Sequence, residues 1–300
     1  MITTTSIDLA YVGLGIHEQL VANAAEQLGC FADEAVSVTL QDGRGWPIER
    51  LRGGAVVGLG RTQVSRLRDG IPWVVLWVNT DRPMFWLVAR PDVTDVSDLR
   101  GRRVGLHASG SAPGIWARIV LRRHGLDPDV DITSVPLPAG DYGEHLSLLR
   151  AGEIHAAVIG STLSTEKLER DEGLTTLAFF GDEIRVPTTG VAIDPTVLDP
   201  DDPAVRGLVA GHRRALQHIL EEPQTGIDQV RLLMPSLSFA EATGHYEQYV
   251  RPHFFADGRA DRAEVARGLA SLATELGGVE LPPLDDLYRI GFASDDSAER

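Results

Sequence analysis

Lysine, cysteine and long apolar runs are all scarce in these 300 residues, and each scarcity removes a class of function. Lys167 is the only lysine, so a Schiff base to a carbonyl or to pyridoxal phosphate would have to form there. Its surroundings, TEKLERDEG, read as a solvated helix, which argues against lysine chemistry. Cys30 is the single cysteine, which excludes an intramolecular disulfide and a thiolate metal cluster. Beside Phe31 it reads as a small buried apolar residue. No stretch approaches the roughly 18 apolar residues of a membrane helix. The start, MITTTSIDLAYVG, carries neither a charged n-region nor a long apolar h-region. On that basis the chain is expected to be cytoplasmic, or periplasmic or extracellular if a signal has been removed.

The charge balance is also one-sided. A net charge of −15 opposes a nucleic-acid partner, because phosphate backbones need a concentrated basic face. What remains is an ordinary soluble composition, 43% hydrophobic and 24% charged, on a chain long enough for one large domain or two lobes.

The apolar pattern alternates strand and helix. Strands are expected at 7–13, 36–41, 55–59, 73–78 and 84–89, with helices at 17–29, 48–52 and 62–68. The alternation restarts with strands at 104–107, 132–137, 156–159 and 174–180, and helices at 113–124, 145–151 and 164–170. After a strand at 186–193 the character is mainly helical, beginning at 203–220. Two runs of βα units predict two α/β lobes, each a doubly wound, open parallel sheet covered by helices. The end, SDDSAER, reads as a frayed tail.

Motifs that would carry cofactors are weak. Gly13-Leu14-Gly15 follows a strand, but Glu18 occupies the third glycine position of a dinucleotide fingerprint. Gly58-Leu59-Gly60 is no better, and no GxxxxGK[ST] occurs. Among the nine histidines there is no HExxH; His212 and His218 do not share a helix face, and His107, Asp141 and His145 fall on separate elements. No metal and no cofactor are expected. His17 differs, because it opens a helix just after a strand, where open α/β sheets gather ligands. Arg44 and Trp46 stand after the second strand, and Arg61 and Thr62 after the third. The stretch GRRVGLHASGSAPG (101–114) runs from a strand into small residues. Its Ser109 or Ser111 as an activated nucleophile lacks a GxSxG elbow. Anion capture at the helix start is favoured, where free N–H groups and roughly half a positive charge are offered, with a plain turn as the alternative.

The order of these features resembles the type 2 periplasmic-binding-protein fold. The nearest branch comprises solute-binding proteins for sulfonates and thiamine pyrimidine precursors. The segments that carry the resemblance are AAEQLGCFADEAVSVTLQDG (24–43), VTDVSDLRGRRVGLHASGSA (93–112), LLRAGEIHAAVIG (148–160) and PPLDDLYRIGF (282–292), with "DLRGRRVG" the most specific.

The resemblance implies a first lobe of residues 1–82 plus 186–300, a second of 83–185, and a ligand cleft between them. Position by position, it implies ligand contacts from Gly15, His17, Glu18, Arg44, Trp46, Arg61 and Thr62. His107, Ser109, Gly110, Ser111 and Ser161 follow from the second lobe, and Thr188 and Thr189 from the return crossover. The implied ligand is a small anionic or aromatic compound, paired with Arg44 or Arg61 and stacked on Trp46. An ABC permease would be the partner of an exported form. The alternative is a cytosolic enzyme on this scaffold, a decarboxylase, dehydratase or C–S lyase using His17 as acid or base. The related aryl sulfinate desulfinases use a cysteine where His17 stands, and an Arg-x-Gly-Gly stretch comparable to Arg50-Leu51-Arg52-Gly53-Gly54. The pyrimidine synthase of thiamine biosynthesis has a cysteine-rich segment with no counterpart here.

Overall fold

The computed structural model describes residues 5–13, 15–137 and 142–290. Among them the strands are, in chain order, β1 (Thr5–Tyr11), β2 (Val36–Asp42), β3 (Ala55–Gly58), β4 (Val74–Thr80), β5 (Phe85–Ala89), β6 (Arg103–His107), β7 (Thr133–Leu137), β8 (Ala156–Gly160), β9 (Thr175–Phe179) and β10 (Thr189–Ile193). Asp141 and the SDDSAER end, both singled out in the sequence, lie outside the described residues, as do Leu14 and residues 291–292.

The chain divides into two units. One contains the residues up to Asp81, Pro187–Ala266 and those from Leu281; the other contains Arg82–Val186 and Arg267–Glu280. Residues 267–280, which the resemblance assigns to the first lobe, belong to the second unit. Two contacts account for this. Glu275 accepts from Arg122 Nε at 2.7 Å and Arg118 Nε at 3.0 Å, and Gly268 lies so close to Arg185 that a Cβ there would stand 2.0 Å from its carbonyl oxygen.

The sheet of the first unit has the order β2-β1-β3-β10-β4, and that of the second β7-β6-β8-β5-β9. The alternation of elements predicts parallel sheets, but neither sheet is wholly parallel. β10 runs antiparallel to β3 and β4, and β5 antiparallel to β8 and β9. In each case the strand follows one that belongs to the other sheet, so no βαβ crossover sets its direction. The central strands β3, β10, β5 and β8 are buried along their whole length, as expected where helices cover both faces. Edge strand β2 alternates toward solvent. The other edge, β4, is covered: Val75 bridges Tyr288, and Asn79 O accepts from Phe255 N at 2.8 Å. No described helix is long and apolar enough to cross a membrane.

Candidate functional site

In the first unit, β1 and β3 end side by side, and each feeds a helix, Ile16–Gln27 and Leu59–Asp69. Glu18 lies in the first turn of the former and folds back on the chain that enters it. Its Oε2 accepts from Gly13 N at 2.6 Å and Val12 N at 3.1 Å. Gly58 makes room for this arrangement, since a Cβ there would stand 2.2 Å from Val12 Cγ2 and 3.0 Å from Glu18 Oε2. Burial pushes the Glu18 carboxyl up to about 7, against the opposing pull of the Gly13 and Val12 N–H groups and the Arg61 charge. At neutral pH it is therefore partly protonated.

Arg61, half-buried in the helix after β3, donates from Nη2 to the Trp46 carbonyl at 2.5 Å. Its guanidinium forms no ion pair among the described residues. Burial lowers its pKa, and the Glu18 charge opposes that. His17 is 4% exposed, and burial, followed by the nearby His245, drives its pKa down to about 3. The ring is thus neutral at pH 7. That removes the imidazolium the acid role of His17 requires, and leaves a very weak base. Gly15, the residue before this helix, offers no side-chain cap, so the first backbone N–H groups have no acceptor from it other than its carbonyl, which takes Glu18 N at 3.1 Å.

Several sequence-nominated groups are already engaged. Arg44 is bonded to Asp42, with Nη2 to Oδ2 at 2.5 Å and Nε to Oδ1 at 2.8 Å. The face of Trp46 is covered by the Arg50 guanidinium, 3.5 Å from the ring centroid. Thr62 bonds back within its own helix, its hydroxyl donating to Leu59 O at 2.8 Å. In the Arg50–Gly54 stretch, Arg52 Nε donates to the buried Asp194 at 2.5 Å. This stretch is therefore structural here. Thr188 is buried between β-strands, its carbonyl accepting from Leu59 N at 2.9 Å. Thr189 pairs with Gly58 across the sheet, and its buried hydroxyl has no hydrogen-bond partner among the described residues.

In the second unit, His107 ends β6 and is 3% exposed. The helix Tyr142–Arg150 brings His145 to it, with ring centroids 5.1 Å apart, and Tyr142 edge-on at 5.9 Å. His145 Nδ1 is 2.7 Å from Val158 O, which marks it as the donor there. Neither ring nitrogen of His107 has a hydrogen-bond partner among the described residues, and burial, then His145, lowers its pKa to about 4. Ser109 and Gly110 are exposed on the following loop. Ser111 is the cap of the helix Ala112–Arg123: its Oγ accepts from Gly114 N at 3.3 Å and donates to Ala108 O at 2.7 Å. That bonding explains the Ser-Ala-Pro-Gly sequence without nucleophilic chemistry. Ser161 is buried just beyond β8. The sequence singles out neither Tyr142 nor His245, and it offers His145 only as a metal ligand, set aside because it falls on a separate element from His107. A histidine inside an amphipathic helix looks like core, and nothing local announces a partner on another element.

Two mixed sheets with flanking helices, in this order, define the periplasmic-binding-protein fold. The chain is similar over 96% of its length to the periplasmic aliphatic sulphonate binding protein SsuA of Escherichia coli, at 17% identity and a TM-score of 0.74, covering 93% of that chain. It is similar to the desulfurization enzyme DSZB at 15% identity and a TM-score of 0.68, covering 98% of this chain and 99% of that one. A Candida albicans gene product described as having the generic periplasmic binding protein fold aligns at 13% identity and a TM-score of 0.72, over 96% of this chain and 97% of that one. Comparison with curated protein sequences gives no match. The chain belongs to the NMT1-like family, whose model matches residues 78–232.

Proposed function

We propose that this protein binds a small organic anion of the sulfonate class and releases it unchanged. The observation that carries the reading is Arg61: a half-buried guanidinium with no ion pair among the described residues. A cation withdrawn from water without a counter-ion is costly, and a bound anion supplies that counter-ion. Glu18 adds a condition. While protonated it does not compete for Arg61, and its neutral carboxyl can donate to a ligand oxygen. The name of the Escherichia coli neighbour supports the choice of sulfonate. The orphan hydroxyl of Thr189 would be a further donor on the first unit. On the second unit, His107, Ser109, Gly110 and Ser161 are the candidate contacts. An exported form would hand its ligand to an ABC permease.

Calorimetric titration with a series of alkane- and arylsulfonates at pH 6.5 tests this. One-to-one binding that weakens on the order of 30-fold in Arg61→Gln is expected, the loss of a charge-assisted bond. Equal affinity in wild type and variant would overturn the site. Mass spectrometry of the recovered ligand separates holding from turnover: a changed mass would move the protein to the enzyme reading, with Glu18 rather than His17 as the proton-transfer group.

A further inference from the structure

The helix Pro203–Glu221 and edge strand β4 enclose a groove of about 280 Å³ in the first unit. Leu76, Val205 and Val209 give it an apolar wall, and Arg206, Arg213 and Arg289 stand around it. Arg206 and Arg213 are seven residues apart, two helical turns, so their Cα atoms sit about 10 Å apart on nearly one face. Val209 lies between them. Arg289 comes from the opposite side, and its position is set by the main chain. Its N–H donates to Val75 O at 2.8 Å, and Tyr288 before it bridges Val75 and bonds Gln63 at 2.9 Å.

None of these three arginines makes an ion pair among the described residues. All three are exposed, on a molecule whose net charge is −15. The neighbouring Arg214 is held by Asp33 at 2.8 Å and Glu34 at 2.6 Å, and Arg118 and Arg122 share Glu275, Asp127 and Asp129. One carboxylate, Asp201, lines the groove, against three guanidiniums. The elements that build it are separate from those that carry Glu18 and Arg61.

We propose that this groove is a second binding site, taking a small organic phosphate: an oxyanion of more than one charge for the guanidinium forks, with an apolar body for the Leu76–Val205–Val209 wall. Arginine pairs with phosphate through two parallel N–H bonds, and three such groups around one pocket favour a multiply charged oxyanion over a carboxylate. The wall selects against the bare ion.

The test is titration of the full chain with phenyl phosphate at pH 8 and 0.15 M salt, followed by calorimetry and by amide shifts in NMR spectra. Expected are one-to-one binding, shifts confined to 200–213 and 74–78 together with Arg289, and at least tenfold weaker binding in an Arg206→Gln, Arg213→Gln variant of unchanged circular dichroism. Inorganic phosphate is expected to bind at least tenfold more weakly than phenyl phosphate, and Arg61→Gln to leave the titration unaltered. No saturable binding would overturn the site, and equal affinity for inorganic phosphate would overturn the role of the wall. Loss in Arg61→Gln with retention in the double variant would return the ligand to the first site. Binding that appears only in an Asp295→Asn, Asp296→Asn chain would give the groove to the protein's own acidic end and overturn the proposal.

Discussion

Arg61 reaches the carbonyl of Trp46, fifteen residues earlier, with a bond of 2.5 Å from Nη2. The bond ties the segment after β2 to the helix after β3, and it satisfies one edge of the guanidinium with a dipole, not a charge. The remaining donors keep a full positive charge near the ends of β1 and β3. Replacing the planar fork by a point charge separates charge from geometry. Arg61→Lys is expected to bind sulfonates about tenfold more weakly than wild type, yet better than Arg61→Gln. Calorimetry of the three proteins under one condition ranks them; a lysine variant no better than the glutamine one would mean that charge alone contributes nothing.

Glu18 makes anion binding pH-dependent. Its carboxyl titrates near 7 in the folded protein because burial disfavours the carboxylate. Above that pH a negative charge appears close to Arg61, so wild-type affinity for a sulfonate, whose own charge is constant, is expected to fall about fivefold between pH 6 and 8. Glu18→Gln removes the titration. Because both backbone N–H groups bond one carboxyl oxygen, the amide oxygen can accept both, and the variant is expected to fold normally and bind equally at both pH values. A wild-type profile that survives in Glu18→Gln would assign the dependence elsewhere.

Three buried histidines make the fold acid-sensitive. His17 and His212 are depressed to about 3 and His107 to about 4, in each case chiefly by burial. The unfolded chain takes up these protons from pH 6.5 downward, whereas the native state does not until its own lower values. Stability is therefore complete above 6.5 and is lost as pH falls through the window toward 3–4, by up to about 1.4 kcal/mol per pH unit for each group. His212 offers the cleanest test, since both its ring nitrogens are buried without a hydrogen-bond partner among the described residues. His212→Leu is expected to be at least as stable as wild type at pH 7.5 and clearly more stable at pH 5, by urea unfolding. An unchanged difference between the two pH values would contradict this.

Gly114 holds the loop after β6 by having no side chain. A Cβ would stand 2.1 Å from Ala108 O, a backbone atom that cannot swing aside. Gly114→Ala is expected to cost about 1–3 kcal/mol by thermal unfolding and to displace Ser109 and Gly110. Crystallography or NMR of the variant would show whether that loop moves; a native melting temperature would refute the close approach.

Much of this was written in local pattern. The strands expected at 55–59, 84–89 and 156–159 form as β3, β5 and β8. Pro113 signals the first turn of a helix, and the strand-end rule brings attention to Arg61 and to His17, with Glu18 beside it. The direction of β5 and β10 was not legible, because strand periodicity is the same in either sense. Nor was the engagement of Arg44 by Asp42 predicted, although only two residues separate them, since either could have faced a ligand.

Sequence by itself determined the alternation of strands and helices, the poverty in lysine and cysteine that removes whole chemistries, and the small residues needed where backbones meet. These follow from periodicity, composition and steric size, which act over a few residues. Only the tertiary structure decided which charges are neutralised and which are left bare. It set His145 against His107, committed Arg52 to Asp194, and left Arg61, Arg206, Arg213 and Arg289 without an ion pair among the described residues. Charge pairing and desolvation depend on distances between residues far apart in the chain, and those distances exist only once the sheets have assembled.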